Sequence, residues 1–142
     1  MAIKRVSPTE AKALQDQGYV YLDVRSVPEY EQGHPTGADN APLMHAGSGG
    51  MAPNPEFLAV VQAAYAKDAK LVVGCKSGGR SQRAAMMMEA AGFSSLVEMR
   101  GGYSGETDGS GRIAERGWAD VGLPVTQAAT VGGSWAELKQ RK

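Results

Sequence analysis

The chain carries one cysteine, Cys75, and its neighbours define what that thiol could do. It stands in Val72-Val73-Gly74-Cys75-Lys76-Ser77-Gly78-Gly79-Arg80-Ser81-Gln82-Arg83, after a short apolar run and before a segment rich in alanine and methionine. A loop of five residues, 76–80, separates the cysteine from that segment. With adjacent glycines and a helix start at its far end, such a loop can turn its backbone N–H groups toward one point, as anion-binding nests do. Thiolate is the nucleophilic form of cysteine, and a helix N-terminus and nearby cations favour it. Lys76, Arg80 and Arg83 supply the cations, and no acid falls between Lys70 and Met88. A lone cysteine is ordinarily a small buried hydrophobe, but that role needs neither glycines nor cations. Cys75 is therefore the candidate nucleophile, and Lys76, Ser77, Gly78, Gly79, Arg80 and Ser81 are the candidate anion-binding cradle.

The flanking elements have to aim this loop. Leu71 to Val73 reads as a buried strand, and Ser81 to Ala91 as a helix ending before Gly92. Upstream, Ser7-Pro8-Thr9-Glu10 is a capping box with proline at the first helical position, and Gly18 closes that helix. Tyr19 to Val24 reads as a strand, and Ser26-Val27-Pro28-Glu29 is a second capping box that opens a short helix to Gln32, stopped at Gly33-His34-Pro35. A short strand is expected at Asp39 to Ala41 and a loop from Met44 to Pro53. A helix from Asn54-Pro55-Glu56 follows, with Phe57, Val60, Val61 and Ala64 on its sheet-facing side. Leu96 to Met99 reads as a strand, Tyr103 to Gly117 as a long excursion without an apolar face, and Trp118 to Val121 as a helical turn. Ser134-Trp135-Ala136-Glu137 starts a last short helix in a tail at 127–142. Alternating strands and helices predict an α/β fold, a mainly parallel sheet with helices on both faces, and a main domain over residues 1–126. Ligands of such sheets sit outside the carboxyl ends of the strands, where Cys75 falls.

Composition narrows the functions. A chain of 142 residues suits one domain. Lysine plus arginine equals aspartate plus glutamate, 15 against 15, so no overall field draws nucleic acid or an acidic membrane. A single cysteine makes no internal disulfide, and no leader-like or bilayer-spanning run is visible, so a cytoplasmic setting is expected. His34, in a helix-terminating turn, and His45, in a loop, do not form a ligand set, and no metal or other cofactor is expected. Met86-Met87-Met88 reads as adaptable core packing, and Asp108-Gly109-Ser110-Gly111 as a polar turn without the later ligands of a calcium loop.

Three ordered motifs then resemble a known family. Leu22-Asp23-Val24-Arg25, Glu29-Tyr30 and Gly33-His34-Pro35-Thr36-Gly37-Ala38-Asp39-Asn40-Ala41-Pro42 are similar to the first signature of the single-domain rhodaneses. Cys75-Lys76-Ser77-Gly78-Gly79-Arg80-Ser81 resembles their active-site loop, and Gly101-Gly102 with Trp118 and Gly122-Leu123-Pro124-Val125 resembles their third signature. The resemblance runs from about Ile3 to Val125. Pro35 stands where the family usually has an apolar residue such as isoleucine, and an insertion separates the glycine pair from Trp118.

The resemblance implies sulfur transfer. Thiosulfate or a similar anionic donor gives its sulfane sulfur to Cys75, and cyanide or a thiol, including a protein thiol, removes it from the persulfide. Backbone N–H groups from Lys76 to Ser81 would hold the anions. Arg80 either binds the donor or braces the loop by folding back onto Asp23 or Glu29, while Asp23 and Arg25 are read as structural. Two other functions fit a cysteine in an anion cradle: a persulfide relay or binding module for a partner protein, and a phosphatase or arsenate reductase. The last has five residues between cysteine and arginine, whereas four lie between Cys75 and Arg80. The excursion at 103–117 could act as a lid over the cysteine.

Overall fold

The computed structural model describes residues 3–47, 49–76, 79–107 and 109–140. The chain opens with β1 (Lys4–Val6), followed by α1 (Pro8–Asp16). The N-terminus of α1 is closed by the expected box: the Glu10 N–H donates to Ser7 Oγ at 3.1 Å and the Ser7 N–H donates to Glu10 Oε1 at 2.9 Å. Then come β2 (Val20–Asp23), α2 (Val27–Gln32), β3 (His34–Pro35), β4 (Asp39–Asn40), β5 (Met44–Gly47), β6 (Gly50–Pro53) and α3 (Phe57–Ala64). The cysteine lies between β7 (Leu71–Gly74) and α4 (Gly79–Ala90). β8 (Leu96–Met99), β9 (Glu106–Thr107), β10 (Ile113–Glu115), β11 (Val125–Thr126) and α5 (Trp135–Leu138) complete the chain.

Five strands form one sheet in the order β1-β8-β7-β2-β4, and every pairing in it is parallel. β7 lies at its centre, with Leu71, Val72 and Val73 fully buried, as a strand covered on both faces requires. On one face Leu22, Val24, Leu71, Val73 and Cys75 pack with Phe57 and Val61 of α3, Ala84, Ala85 and Met88 of α4, and Trp135 and Leu138 of α5. On the other, Tyr21, Val72, Val97 and Met99 pack with Ala11 of α1, Tyr30 and Trp118. The α/β architecture read from the sequence is the one observed. Among the described residues no helix is long and apolar enough to cross a membrane.

Several local expectations change. β1 carries no distinct strand signal in sequence, yet it completes one edge of the sheet. Met44 to Pro53, read as a loop, is the antiparallel ribbon β5–β6, with Met44 opposite Pro53 and His45 opposite Ala52. Its outer strand is exposed throughout, so no hydrophobic alternation marks it. The excursion also pairs with itself, Thr107 opposite Ile113 in β9–β10. His34 and Pro35, expected only to end a helix, also pair with Thr126 and Val125. Of the methionine triplet only Met88 is core; Met86 is 65% and Met87 41% exposed, because consecutive helical residues point about 100° apart and cannot all face one sheet. The tail folds as its capping box predicts, and it covers the β4 edge: the Asn40 N–H donates to the Gly133 carbonyl at 2.8 Å, and Thr130 Oγ1 donates to the Ala38 carbonyl at 2.8 Å.

Candidate active site

Cys75 follows β7 directly, at the carboxyl end of the central strand, and α4 begins at Gly79, two residues earlier than the sequence suggested. The thiol is 1% exposed. Ser77 and Gly78, the middle of the expected cradle, lie outside the described residues. Gly74 fits under Tyr21: a Cβ there would lie 1.9 Å from the tyrosine oxygen, so only glycine lets β7 approach β2 at this point. The glycine pair after β8 clamps the loop from the other side. The Tyr103 N–H donates to the Cys75 carbonyl at 2.7 Å and the Ser104 N–H donates to the Lys76 carbonyl at 2.9 Å. Gly102 adopts φ +58, and a Cβ there would lie 2.4 Å from the Lys76 oxygen and 2.7 Å from the Cys75 oxygen. Gly102→Ala is accordingly expected to push the loop off its position, costing about 1–3 kcal/mol of stability and, for a shift approaching 1 Å, about a hundredfold in turnover. Thermal melts and steady-state rates on the same variant separate the two losses.

The charges near Cys75 are arranged differently from their order in sequence. Arg80, half-buried, donates to Glu29 Oε1 at 2.7 Å and to Oε2 at 3.0 Å, a two-pronged pair across 51 residues. Burial alone would push the Glu29 carboxyl up. Hydrogen bonds from Arg80 and from the Ser26 side chain and backbone outweigh it, and the group falls from its usual 4.5 to about 2. In the structure Arg80 folds back onto Glu29, one of the two arrangements the sequence left open for it. Arg83 points elsewhere, toward Met44 Sδ at 3.4 Å. Lys76 is exposed at the rim.

Asp23 and Arg25 build the neighbouring wall. Asp23 accepts from Arg25 Nη2 at 2.8 Å and from the Arg25 backbone N–H at 3.0 Å, and Arg25 reaches on to the Gly33 carbonyl at 2.6 Å. The guanidinium lies over the Tyr103 ring, 4.3 Å from its centre. This is the loop-fixing role expected of the pair. Arg25, Glu29, Gln32, Gly33, Lys76, Tyr103 and Ser104 line a pocket of about 320 Å³ beside the cysteine loop. Among the described residues of the excursion, Tyr103 and Ser104 border this mouth. The β9–β10 hairpin is tied away from it, Glu106 to the Gly101 N–H at 2.7 Å and to Arg5 at 3.4 Å, and Glu115 to Arg100.

Two groups below the thiol were not singled out for what they do here. Cys75 Sγ lies 3.4 Å from Ser81 Oγ, and Ser81 Oγ hydrogen-bonds Glu98 Oε2. Ser81, expected to contribute its backbone, places its hydroxyl between the sulfur and a carboxylate. Glu98 had one available signal, an acid inside the apolar strand Leu96-Val97-Glu98-Met99. His34 is buried against Tyr30, its Nδ1 2.7 Å from the Tyr30 carbonyl at the end of α2, the capping role expected of it. His45 stands 6.1 Å from Trp135, ring centre to ring centre, and no cluster of metal-ligating side chains occurs among the described residues.

A cysteine loop leaving the central strand of a five-stranded parallel sheet, clamped by a glycine pair and braced by an arginine–glutamate pair, defines a class of protein. The chain belongs to the rhodanese-like domain family, whose model matches residues 7–106. It is 41% identical over 120 residues to thiosulfate sulfurtransferase 16, chloroplastic, of Arabidopsis thaliana, an alignment covering 84% of this chain and 90% of that one. It is 40% identical over 98 residues to rhodanese-like domain-containing protein 15, chloroplastic, of the same plant, 69% of this chain and 54% of the relative's length. Among solved structures, the Rv0390 protein of M. tuberculosis superposes with a TM-score of 0.74 at 26% identity, covering 90% of this chain and all of that one.

Proposed function

We propose that the protein is a thiosulfate sulfurtransferase working through a Cys75 persulfide. The observation that carries this reading is the placement of Cys75 between the end of β7 and the start of α4, with the loop arginine turned back onto Glu29. The thiolate attacks the sulfane sulfur of thiosulfate, the sulfur–sulfur bond of the donor breaks, and sulfite leaves with the electron pair. Cyanide or a second thiolate then attacks the outer sulfur of the persulfide and releases Cys75 as thiolate. Helix and loop N–H groups from Lys76 to Ser81 hold the anions, and Lys76 at the rim of the polar mouth attracts the donor. A relative named thiosulfate sulfurtransferase supports the donor. The chemistry requires a reduced Cys75, which suits a cytoplasmic or similarly reducing compartment.

Phosphate-ester or arsenate chemistry fits less well. An oxyanion with several equatorial oxygens needs a wider loop and an arginine directed into it, whereas here four residues separate Cys75 from Arg80 and Glu29 engages the guanidinium. The test is intact-mass spectrometry after incubation with thiosulfate, with Cys75→Ser beside it. One added sulfur on the wild type, removed by cyanide and absent from the variant, is the expected result. No adduct, together with hydrolysis of an aryl phosphate, overturns the reading. An adduct that cyanide and small thiols leave in place but a partner protein discharges identifies the relay.

A further inference from the structure

A buried hydrogen-bonded chain leads from the reacting sulfur through α4 and β8 to β1. Cys75 Sγ lies 3.4 Å from Ser81 Oγ, Ser81 Oγ bonds Glu98 Oε2, and Glu98 Oε1 accepts from Arg5 Nε at 2.5 Å. Cys75, Ser81 and Glu98 are each no more than 1% exposed. Glu98 and Arg5 form one wall of a groove of about 310 Å³, shared with Gln82, Ala85 and Glu89, which has no lining residue in common with the substrate mouth. The sulfur is thus linked through Ser81 to a carboxylate on the wall of that groove.

A single hydroxyl between a thiol and a carboxyl allows two self-consistent directions. An ionised Glu98 can only accept, so it takes the Ser81 O–H, and Ser81 then accepts from the thiol. If Glu98 is protonated it donates to Ser81, whose O–H then donates to a thiolate or persulfide anion. We infer that Glu98 is a positioning residue for sulfur transfer that shares one proton with Cys75 through Ser81, so that the buried pair carries a single negative charge whichever group holds it. When the thiolate forms, the proton passes from sulfur to Ser81 as Ser81 passes its own to Glu98; when the acceptor leaves Cys75 as thiolate, it returns. Burial raises the Glu98 carboxyl above its usual range despite its bonds to Ser81 and Arg5, which suits a group that has to hold a proton.

Other charges also face the pair. Around Glu98 these are Arg5 on β1, Glu106 of the hairpin, which Arg5 also contacts at 3.4 Å, and Glu89 on the groove wall. Around Cys75 they are Lys76, the Arg80–Glu29 and Asp23–Arg25 pairs, and Tyr21, whose phenol burial pushes up.

The inference rests on Cys75 being the nucleophile, but its test reads thiol ionisation and needs no sulfur donor. Thiolate absorbance and the iodoacetamide alkylation rate are followed against pH in the wild type, Glu98→Gln and Ser81→Ala. Two groups sharing a proton titrate in two steps, and that is the wild-type expectation. Glu98→Gln, which keeps an acceptor for Arg5, collapses them into one step at lower pH, so that midway between the wild-type steps it alkylates about 3-fold to 10-fold faster. Ser81→Ala removes the donor to the thiolate while keeping the Glu98–Arg5 pair, and shifts thiolate formation to higher pH. The opposite signs are the signature, because a loosened fold would move both variants together. A Glu98→Gln profile superimposable on the wild type, or a Ser81→Ala profile unshifted from it, overturns the inference. A failed thiosulfate adduct with these shifts intact overturns the proposed reaction instead.

Discussion

Cys75→Ser is expected to lower thiosulfate:cyanide sulfur transfer by at least about a thousandfold while leaving the fold intact. A serine hydroxyl is scarcely ionised near neutral pH and cannot form a persulfide, so both halves of the exchange are lost together. The residue is fully enclosed between β7 and α4, and oxygen occupies slightly less space than sulfur, so the melting temperature should move by only a few degrees. Steady-state rates and a thermal melt on one preparation check both statements. A variant that keeps more than about one part in a hundred of the rate would show that another group carries the sulfur.

The second large effect concerns the pair between Glu29 and Arg80. Arg80→Ala leaves the Glu29 carboxylate, only 22% exposed, facing an empty place. Breaking a fully buried pair typically costs several kcal/mol; with this residual exposure the expected loss is about 1–3 kcal/mol. Glu29 also accepts from the Ser26 N–H that begins α2, so the loop and the helix entry loosen together. The pair has a defined acid limit. The Glu29 carboxyl lies near 2 in the folded protein and near 4.5 when unpaired, so its stabilisation is complete above about pH 4.5 and is lost as pH falls toward 2. Arg80→Ala should therefore flatten this part of the stability–pH curve as well as lowering it near neutrality. The same pair separates bracing from donor binding. If Arg80 braces the loop, Arg80→Ala and Glu29→Gln both lower kcat with little change in KM for thiosulfate. A donor-binding Arg80 gives a raised KM in Arg80→Ala alone, since Glu29→Gln leaves the guanidinium available.

Much of this arrangement could be read from the chain because it is local. The capping boxes at Ser7, Ser26 and Ser134, the apolar run at Leu71 to Val73 and the helix that starts soon after Cys75 each depend on residues within a few positions of one another. What escaped depends on contacts between distant residues. No acid lies near Cys75 in sequence, yet the fold brings Glu29 to Arg80 from 51 residues away and Glu98 to Ser81 from 17. A count of cations along the loop therefore overstates the positive field that the sulfur meets. Strands such as β9 and β11, two residues long, are set by pairing partners and leave no periodic pattern to detect.

The sheet order also bears on how the molecule is made. Among the described residues β1 pairs with β8 alone, and Arg5 meets Glu98 across 93 residues. During synthesis the first strand must wait until nearly the whole sheet has emerged, and its docking closes the longest loop of that sheet last. An edge strand of three residues, two of them exposed, is also the part of the sheet most ready to open again. Amide hydrogen exchange should be fastest among the sheet strands there. Each such opening would strip Glu98 of its arginine, so the stability of the first strand and the protonation of the carboxylate beneath the cysteine are linked quantities.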